Sequence, residues 1–204
     1  MAFKRELLPS SFATGEKLTS DLVSVGFLLA ADRAKEEPNI ENTIVAAAIE
    51  GLAGDYRVLS LLVDWIAIHM KQVNIDRLVH MLKQLPDKRL KAFWSSMAKW
   101  QKNDTRLKKL SRIYRGPSFS LLEKEDMEFR TGRDGLDPRF AASCFIVPAK
   151  VLRHRPSDIA DSATVARFHL GYRYRLIIGP SYRADMWAQL ELTNVLTPAE
   201  IARK

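Results

Sequence analysis

Cysteine is nearly absent: Cys144 stands alone in 204 residues. No internal disulfide can form, and no cysteine-based zinc site can be closed. That suits a reducing compartment, and a cytoplasmic protein is the expectation. Long apolar runs are missing as well. No stretch of about 18 apolar residues is there to span a bilayer. The start, Met1-Ala-Phe-Lys-Arg-Glu-Leu-Leu-Pro9, lacks the continuous apolar run of a signal peptide. No membrane partner is expected. There is no glycine-rich phosphate loop either, since Gly15-Glu16-Lys17-Leu18-Thr19 lacks the upstream glycine and the preceding strand.

Histidine is sparse. His69, His80, His154 and His169 never form H-x-x-x-H or sit beside an H-E pair, so no metal is expected. His69 and His80 fall on core helices, where a partly buried structural role fits them. Cys144 lies in an apolar setting, Ala-Ala-Ser-Cys-Phe-Ile-Val, which suits a packed thiol. Asp158 and Asp161 have arginine neighbours, and surface salt bridging accounts for them. Spacing assembles no nucleophile, base and orienting group. Neither a catalytic role nor a cofactor is expected.

What the chain does hold is apolar bulk and local positive charge. At 47% hydrophobic and 27% charged residues it can bury a core without staples and is not a disordered chain. From Lys88 to Arg115 there are ten basic residues and one acidic, a net of +9, whereas the whole chain carries +8. The charge is therefore concentrated in one stretch. Within it, Lys99, Lys102, Arg106, Lys108, Lys109, Arg112 and Arg115 are opposed only by Asp104. A second basic region interleaves Arg153, Arg155, Arg167, Arg173, Arg175 and Arg183 with Tyr172, Tyr174 and Tyr182. Arginine grips phosphate with two donors, and tyrosine stacks on bases or donates to phosphate. The bland reading is that the tyrosines are core and the arginines their solvated neighbours. The acidic run Glu123, Glu125, Asp126 and Glu128 could fold back and neutralise the first region.

Apolar spacing predicts an all-α protein, an irregular antiparallel bundle rather than a solenoid. Thr19 or Ser20 caps a helix carrying Leu22 to Leu29. Asn39, Asp55, Asn74 and Asp87 cap the next four. Asn103 or Asp104 opens a sixth, with Leu107, Leu110 and Tyr114 as its apolar stripe. Ser120 and Glu123 have capping-box spacing. Thr131 to Pro138 is the strongest turn signal, and Arg139 to Val147 is read as a short helix. The segment 171–179 supports a strand or a helix continuing from Thr164. Ser181 caps a helix through Leu190. The division is a helical bundle over 1–116, an acidic, turn-rich connector over 117–137 and a smaller, partly helical basic region over 138–204.

The last segment, a helix from Tyr182 to Leu192 and then Leu196-Thr197-Pro198-Ala199-Glu200-Ile201-Ala202-Arg203-Lys204, resembles the opening half of a bacterial helix-turn-helix or winged-helix domain. Thr197 to Glu200 forms a capping box with proline at the first helical position. The resemblance implies a helix set against the DNA backbone, with Ala202 small enough to pack closely under a recognition helix. That recognition helix would follow Lys204. The function this implies is nucleic-acid binding, with DNA ahead of RNA, in a bacterial-type transcription regulator or defence-system component. The alternative is a non-enzymatic helical adaptor or homodimer whose Trp94 and Trp100 dock a protein, with the basic residues meeting an acidic partner.

Overall fold

The structure is a computed structural model, and it describes residues 8–101, 103–141 and 143–192. It is an irregular helical bundle with one very small sheet. Helices α1 (Gly15–Ser24), α2 (Ile40–Leu52), α3 (Tyr56–His69), α4 (Ile75–Gln84) and α5 (Lys88–Trp100) come first. Four of them start where a short polar side chain precedes an apolar-periodic run. Asn39, Asp55, Asn74 and Asp87 each accept backbone N–H groups of the first turn, satisfying donors a helix leaves unpaired. Pro86 follows α4 closely and cannot extend it.

Other expectations are corrected. α1 begins at Gly15 and stops at Ser24, so Phe27 to Leu29 are not helical. Phe27 instead bridges to Ile159, and Leu28 N donates to Asp158 O. The predicted sixth helix is two 3-10 turns, Thr105–Lys108 and Leu110–Arg112. Leu107 and Leu110 are still buried. Ser120 makes no capping box, because it lies in strand β1 (Phe119–Ser120), and Glu123 precedes α6 (Lys124–Asp134) without a side-chain cap. α6 runs through the expected turn to Gly135, whose φ of +77° ends it. Arg139 to Val147 is not a helix. It holds the 3-10 turn Pro138–Phe140 and strand β2 (Phe145–Ile146), which pairs parallel to β1. The segment 171–179 is helical: α8 (Leu170–Ile178) is separated from α7 (Ser162–Phe168) by the extended backbone of His169. α9 (Tyr182–Leu192) returns against α8.

One hydrophobic core runs from Leu18 to Tyr172. Trp65 packs against Phe27, and its indole N–H donates to Val25 O at 2.8 Å. Phe93 of α5 packs edge-on against Trp94 and meets Phe140 and Phe145, so residues after the Gly135 turn fill the same core as the N-terminal helices. Each such ring contributes about 1.5–3 kcal/mol by leaving water. Among the described residues, no helix is long and apolar enough to cross a membrane.

Candidate nucleic-acid interface

The basic stretch begins at the end of α5, where Lys99 is exposed. Asp104 then accepts the Arg106 N–H and starts the first 3-10 turn. With three residues per turn, Leu107 and Leu110 point inward, Tyr114 follows them into the core, and Lys108, Lys109 and Arg112 are left outward. Ser95 Oγ pins the second turn to α5 through Ser111 O at 2.8 Å. The short turns thus hold their cations on a fixed frame rather than on a free loop.

Arg106, Lys108, Lys109 and Arg112 line an open groove of about 500 Å³. Its remaining wall is Asn74, Ile75 and Asp76 at the start of α4, with Thr105 and Pro180. The N-terminal end of α4 adds partial positive charge to that wall. Two carboxylates temper the groove. Asp104 takes Arg106 at 2.5 Å, and the guanidinium also donates to Met70 O and Val73 O. Partial burial opposes charge on Asp104, but Arg106 holds its carboxyl below the ordinary range. Asp76 meets Lys109 at 2.7 Å, with both side chains mostly in solvent, a contact worth little there. Lys99, Lys108, Arg112 and Arg115 are exposed and make no ion pair among the described residues. Lys102 lies outside the described residues. The acidic run makes no ion pair with this surface among the described residues: its ion pair is Lys124–Glu128 within α6.

The second basic region comes apart. Arg175 is withdrawn from the expected interface because it is 2% exposed. Its guanidinium meets Glu41 at 2.6 Å, Asp185 at 2.8 Å and Gln72 O at 3.1 Å. Burial opposes charge on Glu41, yet Arg175 and Arg77 hold its carboxyl below the ordinary range. The sequence could not show this, since Glu41 and Arg175 stand 134 positions apart. Arg173 is exposed but folds onto the last carbonyls of α7, Ala166 O and Arg167 O. Arg183 is exposed on α9. Tyr172 is fully buried and joins His69, so the bland reading holds for it.

Arg153 and Arg155 lie elsewhere, beside α3, together with Arg57, a residue that the sequence reading did not connect with them. The loop that carries them is tied to α3 through Ser60 and Asp64. Arg153 N donates to Ser60 Oγ at 3.2 Å, Arg155 N to Asp64 Oδ2 at 2.5 Å, and His154 Nδ1 lies 2.7 Å from Asp64 Oδ1. No signal short of the fold itself reveals this clamp.

The other singled-out residues have ordinary roles. His69 is buried and His80 is exposed. Asp161 caps α7 through Thr164 N, and Asp158 lies 3.9 Å from Arg155. Cys144 Sγ packs 4.0 Å from Ala92 O. Trp94 is 0% exposed and cannot dock a partner.

The chain matches no protein-family model, no curated protein and no solved structure. Residues Tyr182–Leu192 of the helix-turn-helix resemblance are helical, and 193–204 lie outside the described residues.

Proposed function

We propose that this protein binds nucleic acid, duplex DNA in the first place, by its phosphate backbone and without catalysing a reaction on it. One observation carries the reading: Arg106, Lys108, Lys109 and Arg112 converge on a single groove beside the N-terminal end of α4. Lys99 and Arg115 extend the exposed positive charge at either end of the stretch. Such contacts fix a protein on the duplex without reading bases. A regulator or a defence component of bacterial type would add base readout from another element, and the resemblance over 182–204 is where we would look for it.

The test is an electrophoretic shift with duplex DNA across a salt series. Five cations, Lys99, Lys108, Lys109, Arg112 and Arg115, neutralising about five phosphates give a log–log slope near −4.5. Changing Lys108, Lys109 and Arg112 together to Glu should weaken binding about a hundredfold or more and flatten the slope by about 2.7. Circular dichroism would show that the variant keeps its fold. A slope near zero, or a variant that binds like the wild type, would rule the reading out.

A further inference from the structure

A second pocket, of about 240 Å³, lies against the first half of α3 and is lined by Tyr56, Arg57, Ser60, Leu61, Val151, Arg153, Arg155 and Asp158. Its composition is divided. Half-buried Tyr56 and Val151 give an aromatic and aliphatic surface over the buried Leu61, while three arginines and one carboxylate supply charge. The polar half is unusually well fixed for a surface loop. Asp64, only 1% exposed, holds Arg155 N and the His154 ring, and Ser60 holds Arg153 N. The backbone donors are thus spent inward, and the guanidinium groups of Arg153 and Arg155 are left outward and exposed. Arg57 rises from the first turn of α3, also exposed. The backbone that carries Arg153 and Arg155 is thus ordered in the fold before any ligand arrives.

We propose that this pocket binds one nucleotide, its phosphate gripped by Arg57, Arg153 and Arg155 and its base laid on Tyr56 and Val151. Arginine forks match phosphate oxygens bidentately, and a base without sequence constraint can stack on a tyrosine face. Asp158, 3.9 Å from Arg155, is an acceptor for a sugar hydroxyl or a base amino group. A bare phosphate would leave the apolar half of the pocket unused. A base stacked within a duplex could not enter it, so the ligand is a free nucleotide or an unpaired nucleotide of a strand. The inference does not depend on the groove beside α4.

The test titrates the full chain with a fluorescein-labelled octathymidylate, followed by anisotropy, and with dTMP and inorganic phosphate, followed by calorimetry. Each titration is repeated in the Lys108→Glu/Lys109→Glu/Arg112→Glu variant, where three of the groove's cations are reversed in charge. Saturable binding that survives in that variant and falls about tenfold or more in Arg153→Ala/Arg155→Ala supports the pocket. Tyr56→Leu should weaken dTMP or the oligonucleotide and leave phosphate unchanged. Comparable affinity for dTMP and the oligonucleotide marks a free nucleotide, and binding of the oligonucleotide alone marks a strand. The proposal is overturned if neither nucleotide probe saturates, if the paired arginine variant binds like the wild type, or if phosphate binds as well as dTMP and Tyr56→Leu changes nothing.

Discussion

Arg175 shows how little a residue's type says about where it acts. In the sequence it is one of six arginines among tyrosines, yet in the fold it neutralises Glu41, which is 0% exposed. Removing one partner of a buried pair leaves the other as an uncompensated charge. Arg175→Ala should therefore cost about 3–5 kcal/mol in urea unfolding, with Arg77, 3.8 Å from Glu41, compensating poorly. Replacing both, Glu41→Leu with Arg175→Met, should recover part of that loss. His69 gives a second test at this scale. Its Nε2 faces Ala160 O at 2.9 Å, so that nitrogen carries the proton and Nδ1 accepts from the Tyr172 hydroxyl at 2.6 Å. Burial lowers its pKa from 6.5 to about 4, against weaker opposition from the Ala160 bond and Asp161. The unfolded chain then binds the extra proton first. Stability is fully present above pH 6.5 and falls by about 3 kcal/mol as the pH drops through 4. Thermal melts over that window should show the slope in the wild type and a shallower one in His69→Gln. Equal slopes would mean the imidazole is not held neutral.

The same contrast between local and distant causes runs through the elements. Helices α2 to α5 were legible because their starts are set by one neighbouring side chain, Asn39, Asp55, Asn74 or Asp87. The basic groove was half legible. Its cations were named from charge density, but the short 3-10 turns that aim them depend on Ser95 gripping Ser111 O from another element. β1 and β2 were not legible, since a two-residue parallel pair carries almost no alternation and its Phe145 packs on the distant Phe93 of α5. Close packing between elements can be tested with glycine. A Cβ added to Gly51 of α2 would lie 2.7 Å from Leu59 Cβ of α3. Alanine there gains about 1 kcal/mol of helix propensity but costs about 1–3 kcal/mol in overpacking, so Gly51→Ala should lower the melting temperature. Gly132 of α6 meets nothing within 4 Å. Gly132→Ala should therefore leave the melting temperature equal or higher in the same calorimetric scan.

On the scale of the whole molecule, the chain before α2 and α2 itself are fastened to α8, more than 130 positions later. Glu37 accepts Leu170 N and Gly171 N at the start of α8, while Glu41 holds Arg175 one turn further along it. Burial works to raise the Glu37 carboxyl, but the His169 ring and those two N–H groups keep it below the ordinary range. That clasp has a consequence for the order in which the protein can be made. During synthesis, Glu41 leaves the ribosome 134 residues before the guanidinium that neutralises it. Until then the buried carboxylate has Arg77, 3.8 Å away, and the Asn74 N–H to answer it, without the closer guanidinium pairing. The nascent N-terminal half therefore stays less firmly consolidated until the last quarter of the chain arrives.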